Sequence, residues 1–126
     1  ASAVRHRMTL AISFFDPSAE DEDEAYRGLA KAPGYQFGWE SWRCVWGSDE
    51  LRNRGSKFLV QLGTSDLHVY PKEVEEFRVE LESIGAAAHE ISQALEIEEE
   101  GFLFRLRNAL SACTHAKENG WAISIS

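Results

Sequence analysis

The residue types that most often carry chemistry occur in this chain of 126 residues, but not at the spacings that the chemistry needs. The four histidines include no pair four residues apart that one helix face could present to a metal ion, and neither cysteine belongs to a Cys-x-x-Cys motif. Cys113 and His115 are two positions apart in a predicted helix, so their side chains point away from each other. We therefore expect no metal ion, no cofactor and no catalytic residue.

Carboxylates are numerous, and they are segregated along the chain. Residues 16–24 hold six carboxylates and no base, and residues 72–100 hold ten glutamates against two bases. The remaining residues are net positive, and the total formal charge is −8. General acid–base catalysis pairs a desolvated carboxylate with a solvated one, whereas consecutive exposed glutamates are all solvated. The pattern indicates either a solvated surface or a docking surface for a basic partner.

This charge also bears on the partners that the chain can have. A strongly acidic surface repels nucleic acid and anionic membranes and attracts basic proteins over a long range. No glycine-rich phosphate loop is present, and no apolar run approaches the roughly 20 residues that cross a bilayer. No secretory apolar region follows the basic start of the chain. The sequence therefore predicts a cytoplasmic protein that binds neither nucleic acid nor membrane; its oligomeric state stays open, and a dimer is possible.

Three tryptophans within eight residues form the second notable feature. They are interleaved with Arg43, and Trp and Arg are the residues that most often dominate binding hot spots. Two interpretations stay open, because the tryptophans could equally form part of the core of a small domain. The candidate partner-binding residues are those of a first acidic cluster, the tryptophan segment and a second acidic cluster: Glu20, Asp21, Glu22, Asp23 and Glu24; Trp39, Trp42, Arg43 and Trp46; and Glu96, Glu98, Glu99 and Glu100.

Hydrophobic periodicity predicts the elements that must position these residues. Apolar residues alternate with small or polar ones over residues 8–15 and again over 121–125, which predicts a strand at each place. These two terminal strands are expected to pair or to lie side by side. The first acidic cluster could lie in a short helix or in a loop. Between the glycines of the middle segment, aromatic content weakly favours a strand over a helix for residues 42–46.

Two amphipathic helices are predicted in the second half of the chain. Apolar residues recur at spacings of three and four over residues 74–91, after Pro71 at a favourable first position, and Gly85 could interrupt this helix. A second helix is predicted over residues 102–119 and ends at Gly120. Cys44 and Cys113 are expected to be buried, reduced thiols rather than a disulfide. The elements together predict an α+β fold, a single small domain with a small, mainly antiparallel sheet and two amphipathic helices packed on one face.

Three stretches of the sequence resemble the immunity protein 70 family of bacterial polymorphic toxin systems. They are Gly-Ser-Lys-Phe at residues 55–58, the acidic amphipathic helix of residues 72–84, and the helix-to-strand ending of residues 109–125. The resemblance covers roughly the C-terminal half, and this chain is more compact than the family between Ile91 and Phe102. It implies a small α+β protein, encoded beside a toxin gene, that binds the C-terminal domain of the toxin and blocks it without catalysis.

The leading hypothesis is therefore a cytoplasmic immunity protein, whose residues 1–126 form a single immunity-protein-like domain. It would neutralise a cognate toxin domain, a basic nuclease being one candidate, by occlusion. One alternative is a small hydrolase or isomerase with a pocket lined by Trp42, Trp46 and an isolated carboxylate, either Glu40 or Asp66. A second alternative is an adaptor that oligomerises through the apolar stripe of residues 74–91.

Overall fold

A computed structural model describes residues 9–19 and 34–126 of the chain. It has the predicted α+β fold, in which an antiparallel sheet of four strands is combined with helices. The first acidic cluster, from Glu20 to Glu24, lies outside the described residues. The prediction that this cluster forms either a short helix or a loop therefore concerns residues that the structure does not describe.

The sheet places the two terminal strands of the sequence at its centre. Its strands are β1 (Thr9–Phe15), β2 (Tyr35–Trp39), β3 (Leu67–Val69) and β4 (Ala122–Ile125), in the order β2-β1-β4-β3. Every neighbouring pair is antiparallel. Ile12 lies opposite Ile125 and Phe14 opposite Ile123, which confirms that the terminal strands pair.

One face of the sheet is buried by the helices. In β1, Leu10, Ile12 and Phe14 are buried while Thr9, Ala11 and Ser13 are exposed, as the period of a half-buried strand requires. The buried row continues across the sheet in a layer of apolar side chains: Ile123, Ile125, Leu67 and Val69. Helices that bring an apolar stripe to this layer complete the core.

The tryptophan segment is helical, so the predicted strand over residues 42–46 is wrong. A 3-10 turn (Glu40–Trp42) leads directly into α1 (Arg43–Trp46), and α2 (Asp49–Asn53) follows. Trp42 and Trp46 are four residues apart and pack side by side, with ring centroids at 5.6 Å. Residues four apart are neighbours on the surface of a helix. The spacing of two residues from Trp42 to Cys44 and from Cys44 to Trp46, which would suit one face of a strand, therefore does not describe the observed structure.

The long predicted helix exists as two helices, α3 (Val74–Ala86) and α4 (Ala88–Leu95). The chain turns at Ala87, two residues after Gly85, and α3 itself begins after a 3-10 turn (Pro71–Glu73). The whole apolar stripe is buried within this domain: Val74, Phe77, Leu81, Ile84, Ala88 and Ile91. The stripe is therefore not available for oligomerisation, which contradicts the adaptor alternative in the form given above.

The last helix, α5 (Glu99–Asn119), confirms the predicted helix over residues 102–119 and begins three residues earlier. It ends at Gly120, which has a φ of 69° and so takes the left-handed conformation expected of a glycine at this position. The chain then enters β4. No helix within the described part of the chain is both long enough and apolar enough to span a membrane.

The two cysteines are free thiols in different environments. Cys113 of α5 is buried as expected, and burial raises the pKa of its thiol to about 12, so it stays protonated and packs as a small apolar side chain. Cys44 of α1 is exposed, which corrects the expectation that both would be buried.

Replacement of Phe77 or Leu81 with Ala is expected to lower the free energy of unfolding by about 2 to 5 kcal/mol, because burial is lost and a cavity remains. Both side chains are completely buried near the middle of α3. Val79→Ala is the matched control, since Val79 lies on the same helix with 52% of its surface exposed, and its effect should stay within about 0.5 kcal/mol. Denaturant unfolding followed by circular dichroism measures all three. Equal midpoints for the core variants and the control would contradict this packing.

Candidate functional site

The structure brings two of the predicted groups together at the N-terminal end of α5. Phe102, in the first turns of this helix, is fully buried between the tryptophans, with ring centroids 5.6 Å from Trp46 and 6.5 Å from Trp42. The second acidic cluster occupies the connection from α4 and the first residues of the same helix. The acidic cluster and the tryptophan segment therefore belong to one region of the surface.

The three tryptophans differ sharply in exposure. Trp46 is completely buried, stacks on Phe37 at 4.3 Å and donates its indole N–H to the Phe37 carbonyl at 3.4 Å. The expectation that Trp46 contacts a partner is thus wrong, and the core interpretation holds for it. Trp42 is partly buried against this core, whereas 57% of the surface of Trp39 is exposed. Trp39 and the accessible part of Trp42 are the candidates that remain.

Arg105 of α5 joins this region, although the sequence analysis did not single it out. Its guanidinium lies over the ring of Trp42, 4.2 Å from the centroid, and its Nη1 donates to the carbonyl of Gly101 at 2.7 Å. Burial lowers the pKa of this guanidinium. The sequence did contain a signal, because position 105 follows Phe102 by three residues and precedes Ala109 by four. A charged residue on an otherwise apolar helix face often has a specific contact.

Gly38 provides the room for this packing. Its φ of 106° is one that side chains rarely adopt, and a β-carbon there would lie 2.8 Å from Cγ of Trp42 and 3.0 Å from Nε of Arg105. The register between β1 and β2 shifts at the same place, between Thr9 and Ala11. The glycine thus lets the end of β2 lie directly against Trp42 and Arg105.

Arg43 has a structural role instead of the predicted binding role. It forms an ion pair with Glu40 through Nε and a second one with Asp66 through Nη2, at 2.6 Å. Its Nη1 donates to the carbonyls of Leu62 and Ser65 at 3.1 and 2.7 Å. Most of its donors are therefore used within the domain, to fasten α1 to the loop that precedes β3.

The same contacts remove the residues on which the enzyme alternative depended. Glu40 and Asp66 are not isolated carboxylates, because both are paired with Arg43. Trp46 cannot line a pocket, because it is part of the core. Among residues 9–19 and 34–126, no group of three or more His, Cys, Asp or Glu side chains is placed to hold a metal ion.

The Gly-Ser-Lys-Phe stretch also has a structural role. Gly55 takes a φ of 87°, and the chain after it converges on the carboxylate of Glu80 in α3. That carboxylate accepts four hydrogen bonds, from the backbone N–H groups of Lys57, Phe58 and Leu59 and from the hydroxyl of Ser56, at 2.6, 2.9, 2.9 and 2.9 Å. Successive N–H groups form an anion-binding nest in this way. The contact joins two of the three stretches that carry the family resemblance.

The glutamates of α3 are largely paired inside the domain, unlike those of the second acidic cluster. Arg78 bridges Glu75 and Glu82, and Lys57 pairs with Glu76 at 3.1 Å. In the second acidic cluster, Glu99 bonds to Nδ1 of His89 at 2.9 Å, and this hydrogen bond raises the pKa of the imidazole. The other three members make no ion pair with a described residue: Glu96, Glu98 and Glu100. The charge of Glu98 acts on Arg105 of the same helix at longer range.

Comparison with models of known protein families, with curated proteins and with solved structures finds no match to this chain. The site is therefore interpreted from its own geometry. An exposed indole and a second indole held under a guanidinium are side chains of the types enriched at protein–protein interfaces. The same set contains no pair of groups arranged for nucleophilic or acid–base catalysis.

Substitution of Arg43 by Gln is expected to lower the free energy of unfolding by about 1 to 3 kcal/mol, because two carbonyls and two carboxylates lose their donor. Arg52→Gln is the matched control, since Arg52 makes a single exposed ion pair with Asp49 and should contribute less than about 1 kcal/mol. Urea unfolding measures both. Equal stability of the two variants would contradict the structural role of the Arg43 ion pairs and hydrogen bonds.

Proposed function

We propose that this chain is an immunity protein, which binds the basic toxin domain encoded beside it and blocks that domain by occlusion. The observation that carries the proposal is the adjacency of exposed Trp39, the partly buried Trp42 under Arg105, and the unpaired carboxylates at the start of α5. The resemblance to immunity protein 70 supplies the class of partner. The geometry supplies a surface that suits it.

Charge complementarity supports a basic partner. The whole chain carries a formal charge of −8, so it attracts a positively charged domain before contact is made. Glu98 is the N-cap residue of α5, and Glu99 and Glu100 lie in its first turn. The positive end of the helix dipole offsets part of the repulsion among these carboxylates. The free protein can therefore hold an acidic patch ready for binding.

The tryptophans supply the short-range part of the interaction. Trp39 presents a large, rigid aromatic surface that loses little conformational entropy when a partner covers it. Trp42 is held by stacking on Arg105 and by the buried rings of Trp46 and Phe102, so its orientation is fixed before binding. Such preorganisation favours slow dissociation.

A nucleic-acid-cleaving toxin is the partner class that we favour, because such domains carry basic surfaces. An acidic inhibitor that covers this surface would keep the nucleic acid out. We also propose that the protein acts in the cytoplasm, where an intracellular toxin would meet it. The two free cysteines agree with a reducing compartment.

The direct test uses the toxin domain encoded by the neighbouring gene. The purified chain is expected to bind this domain saturably and to abolish its activity in proportion to the complex formed. A neighbouring gene that encodes no toxin, or a toxin domain that keeps its activity in the presence of the chain, would contradict the proposal.

The kinetics of this complex should distinguish the effect of the exposed carboxylates on association from the effect of Trp39 on dissociation. The double substitution Glu98→Lys and Glu100→Lys is expected to slow association about tenfold at low salt and to weaken its salt dependence, because exposed charges act on the encounter. Trp39→Ala is expected instead to speed dissociation about tenfold or more, as loss of a hot spot does. Stopped-flow or surface-binding measurements give both rates.

Two matched controls accompany these variants. Glu118→Lys reverses one charge at the opposite end of α5 and should change the association rate far less. Tyr70→Ala removes an exposed aromatic ring that follows β3, at the opposite edge of the sheet from β2, and should leave dissociation unchanged. If the controls and the test variants had equal effects, the proposed surface would be wrong even for a true inhibitor.

A further inference from the structure

A half-open cleft of about 560 Å³ lies beside the edge strand β2. The described residues that line it come from the start of β1, from β2 and from α5, and those used below are Tyr35, Gly38, Trp39 and Arg105. Its volume lies within the range of about 300 to 1,000 Å³ that is usual for small-molecule sites. The cleft is therefore large enough to hold an organic ligand rather than only water.

The one charge among the described residues that line the cleft is opposite in sign to the net charge of the protein. Arg105 is the one charged residue among its described lining residues, although the chain as a whole carries −8. Within the described residues no carboxylate forms an ion pair with it, although the charge of Glu98 acts on it at longer range, and only Nη1 has an acceptor, the Gly101 carbonyl. Nε is buried without a hydrogen-bond partner. Nη2 has no acceptor among the described residues and can donate a charge-assisted hydrogen bond to a carboxylate.

This guanidinium is also fixed in place. Trp42 covers one of its faces at 4.2 Å, and the hydrogen bond to Gly101 holds Nη1 at 2.7 Å. Gly38 packs against Nε and keeps it buried, so Nη2 is the guanidinium nitrogen that remains for a ligand oxygen. An arginine held in this way loses little entropy when it binds an anion.

The remaining walls suit a flat apolar body. Trp39 is more than half exposed and lies at the cleft together with the partly buried ring of Tyr35. Ala11 adds aliphatic surface. Aromatic walls next to a single cation favour a ligand that combines a planar ring with one negative group.

We propose that this cleft binds a small planar carboxylate, with its carboxylate on Nη2 of Arg105 and its ring against Trp39. The site goes beyond the proposed function, because it recognises a small molecule and needs no toxin. It can be tested on the isolated protein, so its outcome is independent of whether an inhibitory complex exists.

Benzoate is a suitable first probe, with benzamide as its uncharged counterpart and inorganic phosphate as an anion that lacks a ring. Titration followed by ¹H–¹⁵N NMR is expected to give saturable shifts at the indole N–H of Trp39, at Gly38 and at Nε of Arg105, with a Kd of about 1 mM for so small a ligand. Benzamide and phosphate should each bind about tenfold more weakly.

Variants test the two contacts separately. Arg105→Gln is expected to weaken benzoate binding about tenfold or more, whereas Arg107→Gln, an exposed arginine on the same helix, should leave it unchanged. Trp39→Ala should weaken binding and Tyr70→Ala should not. Because Trp39 is exposed, its variant is expected to fold even if Arg105→Gln does not, and circular dichroism checks both.

Several results would overturn the inference. One is the absence of saturable shifts at concentrations about tenfold above the expected Kd. Equal binding of benzamide would exclude the contact with Arg105, and equal binding of phosphate would exclude the role of the ring. Unchanged benzoate affinity in the Trp39 variant, or shifts centred away from β2, would place the ligand elsewhere.

Discussion

The pairing of β1 with β4 is the constraint on which the rest of this structure depends. It brings the first and last described strands together at the centre of the sheet, and β2 and β3 are then added at the two edges. Because α5 leads into β4 through Gly120, the position of β4 also sets the position of α5. Asn108 of α5 then donates to the carbonyl of Gln36 in β2 at 2.8 Å. This places Arg105 against Trp42 and Gly38.

The segment between β2 and β3 is held by a different means. It contains only short helices and turns, so many of its backbone groups must find partners outside regular secondary structure. Arg43 supplies donors to two carbonyls of this segment, and the carboxylate of Glu80 supplies an acceptor to three of its N–H groups. Arg43 and Glu80 thus stabilise the fold, although their charge alone would also suit them to contact a partner. In the part of the chain that the structure describes, Glu96, Glu98 and Glu100 of the second acidic cluster make no ion pair.

Periodicity predicted the fold well wherever one spacing was unambiguous. Alternation gave the two terminal strands, and spacings of three and four gave the apolar stripe and α5. The prediction failed over residues 42–46, where two spacings competed and only the packing of Trp46 on Phe37 and Phe102 decides between them. The interruption that Gly85 suggested does occur, but the chain turns two residues later, at Ala87.

The site was predictable in part. Residue type indicated that the glutamates of the second acidic cluster lie at the surface, but it could not separate the core residue Trp46 from the exposed Trp39. For the same reason Arg43 was assigned to a partner although its donors face inward. The adjacency of the tryptophans and the carboxylates depends on tertiary packing between α5 and β2, which local sequence does not encode. The contact of Arg105 with Trp42 also arises from that packing, so the sequence analysis did not identify this arginine.

Amide hydrogen exchange, measured on the chain alone and in complex with the toxin domain that we propose as its partner, tests the location of the proposed binding surface most directly. We expect slower exchange in the complex at β2 and its following turn and in the connection from α4 to the first turn of α5. Exchange in β3 and in the last turns of α5 should stay the same. A complex that protected β3 or α3 and left β2 and the start of α5 unchanged would contradict the account.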